Sequence, residues 1–106
     1  MTEYGTEGFH EVMADAFEAL AHPTRRALVH ELRTGPRRAG DLGLEQGMSR
    51  EAVGKHLRLL VEADVLSVER QGRERWYALR PDGLRVVDDW LQPYREFRTR
   101  RLDQQD

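Results

Sequence analysis

Residues 48–60 read Met-Ser-Arg-Glu-Ala-Val-Gly-Lys-His-Leu-Arg-Leu-Leu, and this stretch decides the fold. Ser49 is a favoured N-cap residue, and Glu51 places a negative charge in the first turn, where the helix dipole favours it. The apolar residues that follow recur at helical spacing, at Val53, Leu57, Leu60 and Val61. This pattern predicts a helix over 50–63 whose basic residues lie off the apolar face, at Arg50, Lys55 and Arg58.

Two helical segments lie further upstream. Apolar residues spaced by three and four predict a first helix over 8–21, after a polar stretch over 1–7 that we expect to be a loose tail. His22-Pro23 interrupts this apolar stripe. Because proline suits the first turn of a helix, a second helix is predicted over 23–33.

A short third helix is predicted over 39–46, with Gly47 as the break after it. It leads directly into the helix over 50–63. Two helices joined by such a short turn form a helix–turn–helix, which we assign to 39–63.

The apolar period changes from helical to alternating after this unit. Two β-prone runs flank Gly72 and predict a hairpin over 65–79. Arginines occupy its tip and flanks, at Arg70, Arg73 and Arg75. A helix–turn–helix followed by a hairpin has the element order of a winged helix. The predicted fold is mainly α with a small β-hairpin: a winged helix–turn–helix with five or six helices and a two-stranded wing.

A last helix is predicted over 84–102. Pro93 lies inside it and is expected to kink it or to split it in two, because proline removes a backbone donor and clashes with the preceding turn. Its apolar residues form a stripe too wide for one contact, at Leu84, Val86, Val87, Trp90, Leu91, Tyr94 and Phe97.

The net charge of −2 conceals an uneven distribution. Residues 1–24 contain five acids and no Lys or Arg, and residues 25–80 contain twelve basic residues against eight acids. Residues 81–106 contain five basic residues and six acids. A basic centre attracts polyanions even when the whole protein is acidic. Chance clustering on a solvated surface is the competing interpretation.

The composition excludes several classes of protein. With 106 residues, we expect one domain over 1–106. Apolar residues make up 39% and charged residues 34%, which favours a small helical domain that borrows core from a partner subunit. The absence of cysteine excludes disulfides, thiolate metal sites and cysteine nucleophiles. No phosphate-binding glycine loop, nucleophile–base arrangement or metal-ligand cluster is visible, so we expect a protein that is not an enzyme and has no cofactor or metal. Because the sequence shows no cysteine, no long apolar run and no secretory signal, we also expect it to be cytoplasmic, with no membrane contact.

The order of elements is suited to binding duplex DNA. A helix fits the major groove, the preceding helix crosses the backbone, and wing arginines reach phosphates or the minor groove. For His56, DNA contact and internal packing are equally plausible from the sequence. The candidate DNA-binding residues are Arg37, Arg38, Ser49, Arg50, Lys55, His56, Arg58, Arg73 and Arg75.

Three motifs in register resemble the ArsR-type winged-helix repressors: the helix over 48–60, the segment Leu20-Ala21-His22-Pro23-Thr24-Arg25-Arg26, and the wing over 65–79. This resemblance covers about residues 17–97. It implies a homodimeric bacterial repressor that binds a palindromic operator and controls its own or a neighbouring operon. It also implies that the first and last helices build the dimer, through Phe9, Val12, Met13, Phe17, Val87, Trp90, Leu91 and Tyr94.

The sequence departs from the family pattern in ways that affect function. Many members sense metals through a cysteine pair at the start of the third helix, but residues 38–42 contain no thiol. Others use histidines on the last helix, and none follows His56. The resemblance therefore implies the non-metal-sensing branch, with the effector unknown. Gly54 stands where the family usually has a serine in the recognition helix, and residues 43–46 stand where it usually has an alanine and a later leucine.

A winged-helix module for protein–protein contacts, without DNA binding, is the main alternative. Such modules lack basic side chains on the recognition helix and wing. About six basic residues at these positions argue against this alternative, and a lack of DNA affinity would favour it.

Overall fold

The computed structural model describes residues 15–105. Within this range the chain forms four α-helices, one short 3₁₀ helix and one antiparallel sheet. The elements in chain order are α1 (Ala16–Ala19), α2 (Pro23–Glu31), β1 (Arg37–Arg38), the 3₁₀ helix (Ala39–Asp41), α3 (Arg50–Glu62), β2 (Leu66–Gln71), β3 (Glu74–Leu79) and α4 (Pro81–Gln105). The architecture is mainly helical with a small hairpin, as the sequence predicts.

The predicted count of five or six helices is wrong for the described residues, which contain four α-helices. The predicted third helix over 39–46 is a 3₁₀ helix that ends at Asp41. Leu42 has an extended backbone, and Gly43 and Gly47 adopt φ values of +79° and +68°. A right-handed helix cannot continue through these conformations. Residues 8–14 of the predicted first helix lie outside the described residues.

The predicted hairpin over 65–79 is confirmed as strands β2 and β3, and the two-residue strand β1, which was not predicted, extends it to a three-stranded sheet. Its strand order is β1–β3–β2, with antiparallel pairing throughout. Strand β1 is only two residues long, and its Arg37 and Arg38 lie opposite Tyr77 and Trp76. This strand precedes α3 in the chain, so the sheet joins the two ends of the helix–turn–helix unit. A two-residue strand carries no periodicity, which is why the sequence did not indicate it.

Helix α4 begins at Pro81, three residues before its predicted start, and runs continuously to Gln105. Proline is tolerated there because the first turn of a helix has no partner for a backbone N–H. Pro93 does not split the helix, so the predicted alternative of two helices is wrong. No helix in residues 15–105 is long and apolar enough to cross a membrane.

Gly83 sits where α4 packs directly on the chain after α3. Its backbone N–H donates to the Asp64 carbonyl over 2.9 Å. A Cβ at Gly83 would lie 2.6 Å from that oxygen, whereas a Cβ at Gly54 on the surface of α3 would meet nothing within 4 Å. Close packing therefore requires a glycine at position 83, whereas no contact requires one at position 54.

The core lies between α1, α2, α3 and the inner face of the sheet. It consists of side chains that are less than a tenth exposed: Ala16, Ala19, Leu28, Leu32, Leu42, Val53, Leu57, Leu60, Ala63, Val65, Leu66 and Tyr77. Val87 and Leu84 of α4 pack against its edge. Helix α4 thus contributes little to the centre of the core, and much of its apolar surface stays exposed.

We predict opposite effects from two Gly→Ala substitutions. Gly54→Ala should raise the free energy of unfolding by about 0.5–1 kcal/mol, because alanine restricts the unfolded chain and favours helix. Gly83→Ala should lower it by about 1–3 kcal/mol, because the new methyl group overlaps backbone atoms. Urea denaturation followed by circular dichroism measures both. A stabilising effect of Gly83→Ala would contradict the close packing described here.

Candidate nucleic-acid interface

Helix α3 is anchored to the protein by one apolar face. Val53, Leu57 and Leu60 are buried on it. At its start, the Ser49 hydroxyl accepts a hydrogen bond from the Ala52 backbone N–H over 3.1 Å. Ser49 therefore caps the helix, and its place among the predicted DNA-binding residues stays a prediction. The packing and the cap together fix the direction in which the outer face points.

The outer face of α3 is charged and exposed. Glu51, Lys55, Arg58 and Glu62 are spaced by four, three and four residues, so they follow one another along the side opposite the core. Arg50 is exposed in the first turn. Within the described residues, neither Arg50 nor the two basic residues of this stripe forms an ion pair. Their charge is therefore directed at solvent or at an external anion.

The wing carries a second group of unpaired cations at its tip. Gly72 adopts a φ of +65°, as the first position of a two-residue hairpin loop requires, and Arg73 completes the loop. Arg70 lies directly opposite Arg75 in the strand register. Like charges in such a cross-strand pair repel each other unless an anion lies between them. Both arginines share the sheet face of Tyr77, which packs on the core.

Arg70 was not among the residues predicted to bind DNA. The signal that identifies it is the strand register about Gly72, which brings it opposite the predicted Arg75. Its guanidinium Nε donates to the Gly72 carbonyl over 3.4 Å, so it forms a weak contact within the hairpin. No acidic side chain in the described part of the chain pairs with it.

The arginines at the base of the wing are paired with acids. Arg38 lies 3.1 Å from Asp41 and 3.4 Å from Glu74, and its guanidinium carbon lies 6.0 Å above the Trp76 ring. The hydrogen bond and charge of Asp41 raise the pKa of Arg38 further. The nearest carboxylate to Arg37 is that of Glu31, at 3.8 Å. Both arginines were predicted to bind DNA, and within this chain they already have acidic partners.

His56 points away from the outer face of α3. Its imidazole is half-buried, and its ring centroid lies 5.1 Å from that of His22. The Arg25 guanidinium lies 3.4 Å from its Nδ1. Burial, the charge of Arg25 and then that of His22 lower the pKa of His56. Of the two interpretations open at the sequence level, these contacts favour internal packing.

Arg25 and His22 connect the start of α2 with α1. The Thr24 backbone N–H donates to His22 Nδ1 over 3.1 Å, which caps α2. The Arg25 guanidinium donates to the carbonyls of Ala19 and Glu18 over 2.6 and 3.2 Å. The side chains around His56 therefore connect three helices at the back of the candidate recognition helix.

A continuous apolar surface lies on α1 and α4. The Phe17 and Trp90 ring centroids are 6.1 Å apart in a T-shaped contact, and those of Trp90 and Tyr94 are 4.9 Å apart. Phe17 is 41% exposed, Trp90 56% and Tyr94 51%, although aromatic rings of this size are usually covered. Leu91 is exposed beside them, while Val87 packs on the core edge.

Three other residues of the predicted dimer interface, Phe9, Val12 and Met13, lie outside the described residues. Among residues 15–105, no group of three or more His, Asp or Glu side chains is arranged to hold a metal ion.

Comparison with known proteins shows which family has these features. A helix-turn-helix domain model matches residues 20–69. The transcriptional repressor SdpR of Bacillus subtilis is 32% identical over 79 residues, which are 74% of this chain and 88% of the relative. The HTH-type transcriptional regulator Rv2034 of Mycobacterium tuberculosis is 42% identical over 72 residues, which are 68% of this chain and 67% of that protein.

Comparison with solved structures agrees with the comparison of sequences. The crystal structure of an ArsR family transcriptional regulator superposes with a TM-score of 0.71 and 30% identity, over 83% of this chain and 90% of that chain. The chain belongs to the ArsR family. The resemblance found in the sequence is therefore confirmed, and the matched helix-turn-helix region contains both α3 and the start of the wing.

Membership of the ArsR family relates α3 to the general geometry of winged helix–turn–helix proteins. In a winged helix–turn–helix, the second helix of the motif is the element that enters the major groove. Here that helix is α3, with its unpaired cations on the exposed side. The chain contains no cysteine, so it has no thiolate ligand for a metal ion.

The environment of His56 predicts a pH dependence of stability. Because the pKa of His56 is lowered from 6.5 in the folded state, the unfolded chain binds the proton more readily. The contribution of neutral His56 to the free energy of unfolding is therefore complete above pH 6.5. It decreases as the pH falls below 6.5 towards the pKa of His56 in the folded state. Urea denaturation at several pH values between 7.5 and 5 measures this decrease.

His56→Gln is the matched variant, since it removes the titrating group and keeps a polar side chain beside Arg25. Its stability should decrease less over this pH range than that of the wild type. His30→Gln, at an exposed position on α2, serves as the control. The same pH profile in wild type and His56→Gln would contradict the assignment.

Proposed function

We propose that two copies of the chain form a homodimer that binds a palindromic DNA operator and represses transcription. One observation carries this proposal: the cations on the outer face of α3 and at the wing tip lack acidic partners in residues 15–105, whereas those at the base of the wing are paired. Unpaired cations on the element suited to the major groove are favoured by a polyanionic ligand.

The proposed DNA contacts divide between bases and phosphates. Arg50, in the first turn of α3, is suited to reading guanine through its O6 and N7 atoms. Lys55 and Arg58 follow along the same helix and contact bases or phosphates. Arg73 and Arg75 at the wing contact phosphates or the minor groove, and the strand register adds Arg70 to this group.

The proposed dimer uses the apolar surface of α1 and α4. Phe17, Trp90 and Tyr94 form its centre, and Leu91 adjoins them. Exposed aromatic clusters of this kind are typical of the buried centre of protein interfaces. A two-fold axis through this surface brings two copies of α3 into successive major grooves, with half-sites roughly 10–10.5 base pairs apart or a multiple of that distance.

We propose that the signal that releases the operator is not a metal ion at the family's usual sites. We assign the chain to the non-metal-sensing branch, because it has no cysteine and no histidine after His56. The chain then regulates its own or a neighbouring operon as a repressor, and the Bacillus subtilis relative is named a transcriptional repressor. The whole chain over 1–106 is proposed to act as one DNA-binding domain.

Removing the base-reading side chains should weaken specific DNA binding. Arg50→Ala and Lys55→Ala are each expected to cost about 1–3 kcal/mol of binding free energy if each contacts a base. Fluorescence anisotropy with the duplex upstream of the chain's own gene, compared with a scrambled duplex over a series of salt concentrations, measures this loss.

Arg85→Ala is the matched control, because Arg85 is exposed on α4 and carries the same charge outside α3 and the wing. It should leave specific affinity nearly unchanged. Unchanged affinity in both α3 variants would refute the groove assignment. If the wild type binds neither duplex at low salt, the protein–protein module becomes the better interpretation.

A charge placed in the apolar surface should prevent dimer formation. Trp90→Asp is expected to sediment as a monomer. The free-energy cost of burying an unpaired carboxylate at the interface should exceed the free energy gained on association. Sedimentation velocity gives the assembly state, and circular dichroism shows that the variant is folded. Leu44→Asp, at an exposed apolar position outside this surface, should stay dimeric. A folded Trp90→Asp variant that still forms dimers would exclude this interface.

A further inference from the structure

Glu31, the last residue of α2, makes a contact to the turn of the helix–turn–helix that the proposed function does not use. Its side chain is only 13% exposed. The two carboxylate oxygens lie 3.4 and 3.3 Å from the Gly43 backbone nitrogen and accept its N–H. A carboxylate with so little solvent access is expensive to bury unless it is paired and hydrogen-bonded. The cost is offset here by contacts to the turn of the helix–turn–helix.

Gly43 transmits this contact to the start of α3. Its N–H points to Glu31, and its carbonyl accepts the Met48 backbone N–H over 3.2 Å. Met48 directly precedes the capping residue Ser49. Gly43 has a φ of +79°, and a Cβ there would lie 2.6 Å from the Val53 side chain of α3. The turn is therefore held by its backbone in a conformation that leaves no room for a side chain.

The same carboxylate faces one of the candidate DNA-binding arginines. Glu31 Oε1 lies 3.8 Å from an Arg37 guanidinium nitrogen, and the Arg37 side chain is about half exposed. Arg37 begins the short strand β1, immediately before the 3₁₀ helix. Glu31 is thus placed to hold both the turn before the recognition helix and the guanidinium beside it.

We propose that Glu31 is a positioning residue for DNA binding: it fixes the start of α3 through its contact with the Gly43 N–H. This inference rests on the DNA binding proposed above and names an acidic residue that supports binding to a polyanion. Electrostatics alone predicts the opposite sign, because removing a negative charge from the protein should tighten DNA binding. A positioning role therefore predicts weaker DNA binding when Glu31 is replaced, whereas electrostatics alone predicts tighter DNA binding.

Two substitutions separate the hydrogen bond from the charge. Glu31→Met keeps a side chain of similar length but removes the contacts to the Gly43 N–H and to Arg37. It should weaken specific DNA binding about three- to tenfold, the loss expected for one hydrogen bond. Glu31→Gln keeps an acceptor for the Gly43 N–H and should stay within about twofold of the wild type, since the ion pair with the half-exposed Arg37 is long, at 3.8 Å, and contributes little.

Glu45→Gln is the matched charge control. Glu45 is exposed in the same turn and has no partner among residues 15–105, so its variant should bind as tightly as the wild type or more tightly. Anisotropy titrations are run at one salt concentration and at a temperature where circular dichroism shows every variant folded. A Glu31→Met variant that binds as tightly as the wild type would overturn the inference.

Amide hydrogen exchange tests the same inference without DNA. The Gly43 N–H should exchange about tenfold or more faster in Glu31→Met than in the wild type or in Glu31→Gln, because its acceptor is lost. Unchanged exchange at Gly43 would overturn the inference even if DNA binding decreased. If the wild type binds no duplex, the proposed function fails, and the exchange result alone decides whether Glu31 holds the turn.

Discussion

The burial of one face of α3 is the constraint on which the rest of the structure depends. Leu57 and Leu60 are almost inaccessible to solvent, in one cluster with Leu28 of α2 and Leu66 of β2. Apolar burial supplies the free energy that orients a helix whose outer face contributes little to stability. Because the inner face is fixed, the charged face is fixed as well. The capping hydroxyl of Ser49 and the Gly43 turn then set where the helix begins.

The arginines divide into two groups with different physical roles. Arg38 and Arg80 have carboxylates within 3.4 Å and act inside the protein, joining strands and turns. Those on the outer face of α3 and at the wing tip have no such partners within residues 15–105. A chain with a net charge of −2 therefore still presents unpaired cations on α3 and at the wing tip, although Glu51 and Glu62 lie on the same face of α3. Net charge alone is a poor guide to the ligand of such a protein.

Several features of the site depend on contacts between distant residues and were not accessible from spacing. The spacing of α3 identified which residues lie off its apolar face, but it did not separate the outward Lys55 from the inward His56. That distinction depends on His22 and Arg25, more than thirty positions away in the chain. The contact between Glu31 and Gly43 joins residues twelve positions apart, and no local motif indicates it. Loops and single contacts of this kind have no periodicity for a sequence pattern to reveal.

The sequence by itself determined the order of elements, the apolar face of the recognition helix and the family, because each is expressed in local periodicity and in motifs. Only the tertiary structure decided that the third predicted helix ends after one turn, that β1 joins the wing and that Arg38 is already paired. The physical reason is the same in each case. Positive φ at glycine, strand pairing and ion pairs depend on which distant groups the folded chain brings within a few ångströms.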